Sequence, residues 1–265
     1  YTSVITALRE KISFKDVGKR FGISSASVFR IFEYIAIATP TSLPTVLGID
    51  EFKGNTNGEK FQVILTNIKD KKVVDILPNR HKSNLITYFL RFPRAEREKV
   101  RVLVMDMWEN YRALAWLFPN AKVVVDRYHW ISQAIWAFEN VRKEEQKKLS
   151  PELRKYFKRS KSLLIKRFNS LEEEQKQQVN VMLYYSVNIS RAYFYKEKFL
   201  ELLSIKEPKA AQKALAEWIE YTEDCGLLPF EKCTETMRNW YKGIVNSFAT
   251  SVTNGFTEGC NNKIK

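Results

Sequence analysis

The sequence predicts a mixed α/β protein: a small sheet, then a long all-helical block, with a separate helical module in front. Three observations carry this. Two short β-branched runs, VRVLVM and AKVVV, each end on an acid and flank a helical stretch. Three further strand-like runs separated by turn signals precede them. From Ala137 to about Val245 every periodic pattern is helical.

Residues 1–38 read as the helical module. In SFKDVGKRFGISSASVFRIFEYIA, Val17, Phe21 and Ile23 form one apolar set and Val28, Ile31 and Phe32 the next, with Gly22 in the break. Helix, Gly-containing turn, helix is the helix-turn-helix pattern, with Ser24 placed to cap the second helix. The outward residues Ser25, Ser27 and Arg30 are of the kind that reach base edges and phosphates. The Pro-bearing TPTSLP ends the module.

The sheet domain begins at 44. TVLGIDEF, KFQVILTNI and VVDIL, joined at NTNG and KDKK, read as an antiparallel meander. Period-two alternation sends Asp50 and Glu51 to opposite faces. The helix SNLITYFLRF leads to VRVLVM, a run that suits a strand buried on both faces and ends at Asp106. A helix with Tyr111, Leu114, Ala115 and Phe118 on one stripe follows, closed by Pro119-Asn120. AKVVV then ends at Asp126, with His129 three residues on. Three antiparallel strands, helix, strand, helix, strand is the order of the ribonuclease-H-like fold, in which the first and fourth strands lie side by side. Asp50 and Asp106 are then neighbours at the sheet edge where open α/β sheets hold their ligands.

The domain reading is therefore 1–38 helix-turn-helix, 44–136 first part of the core, 137–245 helical insertion, and 246–265 the final core helix. Within the insertion, Ser150-Pro151, a capping box at Ser170-Leu-Glu-Glu and Pro208 mark helix starts. Ala211, Leu215, Trp218 and Ile219 share one face. In the final helix, capped by Thr253 or Asn254, Phe256, Cys260 and Ile264 are expected to face inward. Glu258, Asn261, Asn262 and Lys265 take the other side, from which a carboxylate can lean over Asp50 and Asp106.

The formal net charge is +14 over 265 residues, which favours a polyanionic partner, nucleic acid first. Residues 137–169 hold eleven Lys and Arg against four Glu, half of that excess; Arg154, Lys155, Lys158 and Arg159 are candidates to track a phosphate backbone. Three cysteines without a CxxC pair and only two histidines argue against a zinc site or a disulfide framework. An odd number of free thiols fits a reducing, cytoplasmic setting. No apolar run approaches the ~20 residues of a membrane span.

In-line phosphodiester cleavage needs an activated oxygen nucleophile and a stabilised leaving oxygen, which two divalent ions about 3.5–4 Å apart supply. Mg²⁺ takes oxygen ligands and keeps several waters, so two or three converging carboxylates suffice. Asp50, Asp106 and Glu258 are the candidates by their strand-end and helix contexts.

The strings GIDEF, LVMDMWENYR, PNAKVVVDRYHW and NGFTEGCNNKIK, in this order, resemble the DDE transposases of bacterial insertion sequences, in particular their ISL three group. The resemblance spans nearly the whole chain. It implies a ribonuclease-H-like core interrupted by a helical insertion after the DRYHW strand. It also implies metal-dependent cutting at transposon ends and attack of the freed 3′-hydroxyl on target DNA. By motif Asp50, Asp106 and Glu258 are the catalytic carboxylates, binding two Mg²⁺ ions, with Mn²⁺ as a substitute. Asp126 and His129 fit an acid-x-x-His signature; they either shape the site or form a hydrogen-bonded pair that anchors the next helix. Arg80 matches a recurrent Arg after the third strand, where it would meet a phosphate. Trp108 reads as a core tryptophan, with stacking on a displaced base as the alternative.

The implied partner is double-stranded DNA, both terminal inverted repeats and target, with a homo-oligomer pairing two ends in a bacterial cytoplasm. Two features of the family are not seen: a cysteine-rich zinc module before the helix-turn-helix, and basic sequence beyond NNKIK. The chain therefore reads as a fragment. The competing reading is a catalytically inactive DNA-binding remnant or regulator.

Overall fold

The computed structural model describes residues 1–265 apart from 11, 34–38, 57, 160, 251 and 265, and the side chains of 33, 55, 56 and 263 are also outside the description. The close of the expected N-terminal module at 34–38, Asn57 of the NTNG turn and Lys265 therefore lie outside it. The chain divides into two compact units, Tyr1–Thr41 and Ser42–Lys265.

The first unit holds α1 (Thr2–Ala7), α2 (Phe14–Phe21) and α3 (Ser25–Glu33) around Val4, Ala7, Val17, Val28 and Ile31. Ser13 caps α2 by accepting from the Asp16 N–H, and Gly22 closes it in the left-handed region (φ 66°), where a glycine carries no Cβ penalty. Ser24 caps α3 through the Ser27 N–H at 3.0 Å. Ser25 and Arg30 are exposed, whereas the Ser27 hydroxyl is 2.9 Å from the Ser24 hydroxyl and belongs to the cap.

In the second unit the chain runs β1 (Val46–Thr56), β2 (Glu59–Asn67), β3 (Lys72–Leu77), α4 (Lys82–Leu90), α5 (Arg94–Arg97), β4 (Val102–Met105), α6 (Glu109–Arg112) and β5 (Lys122–Val125). The helices α7 (Arg127–Gln146), α8 (Pro151–Arg159), α9 (Lys161–Ile165), α10 (Glu173–Tyr184), α11 (Val187–Leu202), α12 (Pro208–Glu223), α13 (Leu228–Asn239), α14 (Tyr241–Phe248) and α15 (Gly255–Ile264) follow. Among the described residues one sheet forms, in the order β3-β2-β1-β4-β5. β1 to β3 are antiparallel, and β4 pairs parallel with both β1 and β5, so the first and fourth strands do lie side by side.

Alternation gives the sheet two unlike faces. Leu47, Ile49, Val63, Leu65, Leu103 and Met105 pack with Leu85 and Phe89 of α4, and with Tyr111, Leu114 and Phe118. Gly48, Asp50, Thr66 and Asp106 fall on the opposite face, which α15 covers. The larger second core lies within the helical block, around Trp130, Phe138, Phe199, Trp218 and Phe230.

Three local expectations are corrected. The stretch after β4 is one turn of α-helix followed by a 3-10 turn at Ala115–Leu117, so Tyr111, Leu114 and Leu117 are buried at a spacing of three and Ala115 only partly. The capping box sits at Glu172 with Gln175, not at Ser170, whose hydroxyl instead donates to the Arg167 carbonyl. The helical block opens at Arg127 rather than 137, because Asp126 ends β5 and caps α7 in one step. Ser150 and Pro151 do start α8. Ala211, Leu215, Trp218 and Ile219 are buried on α12 as expected. Among the described residues no helix is long and apolar enough to cross a membrane.

Candidate active site at the sheet edge

The register of β1 on β4 sets Gly48 opposite Val104, and continuing it by two residues brings Asp50 beside Asp106. β4 ends at Met105, so Asp106 stands at its carboxyl end. Asp50 is 6% exposed, and its two oxygens accept from the Glu51 N–H at 2.7 Å and from Asn261 Nδ2 at 2.7 Å. Burial and the neighbouring Asp106 carboxylate push Asp50 up to about 7, against the Glu51 N–H and His129, which favour the charged form.

His129 Nε2, one turn into α7, lies 2.8 Å from Asp106 Oδ1. The approach is too poorly aligned for a hydrogen bond, and that buried oxygen has no aligned donor among the described residues. Burial disfavours the imidazolium, but Asp106 outweighs it and His129 is raised above its ordinary value. Glu258, on the first turn of α15, is half-buried; burial and the Asp126 and Asp106 carboxylates raise it. Asp50, Asp106 and Glu258 thus feel one another. Even so, among the described residues no three His, Cys, Asp or Glu side chains are gathered closely enough to hold a metal ion.

Asp126 is 3% exposed and acts within the scaffold: Oδ1 accepts from the Tyr128 N–H and Oδ2 from the Asn254 N–H at 2.7 Å. The His129 N–H donates to the Asp126 carbonyl at 3.2 Å, but among the described residues the two side chains go separate ways: Asp126 joins β5 to α7 and α15, and His129 leans on Asp106. Arg80 turns from solvent to Glu51, 2.5 Å away, on the opposite face from Asp50. Its guanidinium is stacked between Phe61 (4.0 Å) and Trp108 (4.7 Å), and Glu51 also accepts from the Tyr111 hydroxyl. Trp108 is half-buried and packs edge-on against Tyr111.

The inward face of α15 is polar, which corrects the expected apolar one. Asn254, Thr257 and Asn261 are buried, Phe256 and Cys260 are only partly so, and Ile264 is 43% exposed. Thr257 shares a hydrogen bond with Thr66 on β2, and Asn254 Nδ2 reaches the Ile49 carbonyl at 3.3 Å. Asn261, Asn254 and Glu51 contact the candidate site, whereas the sequence reading gives them only a helix side, a cap and a strand face. Their signal is the asparagine three residues after Glu258 and the acid beside Asp50.

Away from the carboxylates, Arg154, Lys155, Lys158 and Arg159 are exposed on α8. The first three line, with Lys143 of α7 and Lys147 just past its end, a half-open depression of about 700 Å³. Part of the positive charge of this region is used internally: Arg142 is buried against Glu139, which also meets Lys161.

Over 223 residues the chain is 21% identical to the transposase for insertion sequence element IS1001 of Bordetella parapertussis, covering 83% of this chain and 55% of that protein. The chain thus spans about half the length of the curated relative it matches. No solved structure matches it. Residues 47–265 match the model of the ISL3 DDE family, described as transposases, and the chain belongs to that family.

Proposed function

We propose that this chain carries the catalytic core of a transposase that cuts transposon-end DNA and joins it to a target, built on a ribonuclease-H-like fold. The strand order β3-β2-β1-β4-β5, with β1 and β4 parallel neighbours, supports the fold reading. The observation that carries the chemistry is the Asp50–Asp106 pair: two inward carboxylates, one pushed up to about 7 by burial and by the charge of the other, one with an oxygen lacking an aligned donor among the described residues.

Such a pair suits a divalent cation, Mg²⁺ or Mn²⁺, and Asp50 and Asp106 would hold it with Glu258 approaching from α15. Bound metal ions supply activation of the attacking oxygen and stabilisation of the leaving one. The chain's own residues do the rest. Asn261 and the Glu51 N–H fix the Asp50 carboxylate, and His129 stands 2.8 Å from Asp106. Asp126 ties the start of α15, and with it Glu258, to the end of β5. The exposed cations of α8 suit a phosphate backbone, and Ser25 and Arg30 on α3 suit a helix-turn-helix contact with duplex DNA.

Asp106→Asn is the test. Cleavage of a transposon-end duplex in Mg²⁺ should be lost with duplex binding retained within a few-fold; cleavage surviving the change removes the carboxylate assignment. The second reading, a DNA-binding protein without cleavage, draws on the finding that no three ligating side chains among the described residues are gathered closely enough to hold a metal ion. It expects metal-independent binding and no cutting by the unaltered chain.

A further inference from the structure

Helix α7 begins at the carboxylate pair and, at 1.5 Å per residue, runs about 30 Å away from it. His129, Gln133, Trp136, Asn140, Lys143 and Lys147 follow one another in alternating steps of four and three, which places them on one face. From Trp136 onward that stripe is exposed. At its middle, Gln133, Trp136, Asn140, Lys143 and Lys147 line a half-open depression of about 430 Å³, closed on the far side by Leu228, Pro229 and Lys232 of α13. Trp136 is 51% exposed, unusual for a tryptophan with so much core available. Glu144 is the acid on the wall, against three lysines. Lys143 and Lys147 are shared with the basic depression beside α8, so the two hollows are continuous along α7.

We infer that the hollow at Trp136 is a binding site for one unpaired nucleotide of a DNA strand that runs along α7 from the carboxylate pair. The inference rests on the DNA-processing reading above and adds a site to it. The indole face offers a stacking platform for any base, the side-chain amides of Gln133 and Asn140 offer donors and acceptors to a base edge, and the lysines meet the flanking phosphates. The apolar far wall at Leu228 and Pro229 suits the flat face of a base better than the edge of a duplex. Volume agrees as well, since the hollow has room for one nucleotide rather than a folded partner segment.

The test is fluorescence anisotropy at fixed salt with this chain, using a single-stranded oligonucleotide of about twenty nucleotides and a blunt duplex of the same sequence. Trp136→Ala should weaken single-strand binding about tenfold, within the range of roughly five- to 150-fold expected for loss of one base stack. Duplex binding should change by less than twofold. Trp136→Phe keeps a ring and should recover most of the loss, which separates stacking from a folding defect; unchanged thermal unfolding of both variants is the control. Lys143→Ala with Lys147→Ala should weaken both ligands and lower the salt slope by about 1 to 2. Equal single-strand binding by the wild type and Trp136→Ala overturns the inference, as does a wild type that binds duplex but not single strand; in both cases the DNA reading stands. A wild type that binds neither ligand overturns that reading and this one together.

Discussion

Asn261 donates from Nδ2 to Asp50 Oδ2 at 2.7 Å across 211 residues of chain, so the last helix of the described fold holds the first acid of the candidate site in place. The same amide reaches the Glu51 carbonyl, while its own buried oxygen finds no donor among the described residues. Docking of α15 and orientation of Asp50 are therefore one interaction.

Removing that donor should cost stability and spread to the site. Asn261→Ala leaves Asp50 buried with one hydrogen bond fewer, a loss of about 1–3 kcal/mol. Asn261→Asp should be worse, because it adds a third inward carboxylate beside Asp50 and Asp106. Urea unfolding of the metal-free protein ranks the three; an Asn261→Asp protein as stable as the wild type would contradict the placement of Asn261.

Much of this arrangement is legible in the sequence. Alternation in GIDEF separates Asp50 from Glu51, and the order of strands and helices brings β1 next to β4, so the Asp50–Asp106 pairing follows from pattern alone. The face of α15 does not follow, because hydrophobicity assigns the inward side to Phe256, Cys260 and Ile264. The sheet face it covers carries Gly48, Asp50 and Thr66, and a helix over a polar face turns its own polar residues inward to satisfy it. Arg80, matched in the sequence to a recurrent Arg after the third strand, lies against Glu51 and two aromatic rings, neighbours that its residue type does not reveal.

Asp126 should behave as a structural residue. Asp126→Ala removes the cap of α7 and leaves the Asn254 N–H buried without a partner, costing about 1 kcal/mol for the first and about 1–3 kcal/mol for the second. Asp126→Asn keeps one acceptor oxygen and should lose roughly half as much in denaturant unfolding. If both variants unfold like the wild type, α15 is not held through Asp126.

Gly48 on β1 has no room for a side chain. A Cβ there would stand 2.5 Å from Thr66 Oγ1, 2.9 Å from Ile68 Cδ1 and 3.0 Å from Asn254 Oδ1. Gly48→Ala should therefore destabilise by about 1–3 kcal/mol through overpacking. Thr66→Ala relieves the tighter contact, so the double variant should lose less than the sum of the two singles. Simple additivity in a thermal-unfolding cycle would mean that Gly48 and Thr66 do not compete for the same space.

Lys196 gives the fold a pH signature far from the carboxylates. Its ammonium is fully buried in the helical block, donating to the Leu164 and Lys166 carbonyls at 2.9 and 2.8 Å beside Glu197. Burial lowers it to about 8 despite Glu197, against about 10.4 in an unfolded chain. Between those values the unfolded chain binds the extra proton, so stability rises with pH across that window; below about 8 the full cost of burying the charge is present. Raising pH from 7.5 to 9.5 should therefore increase the wild-type unfolding free energy by about 2 kcal/mol relative to Lys196→Met, which has nothing to titrate there. Urea titrations of the two proteins at both pH values measure this difference directly, with other titrating groups common to both. A difference that stays flat across the window would mean that Lys196 keeps its proton in the fold, with Glu197 and the two carbonyls compensating its burial in full.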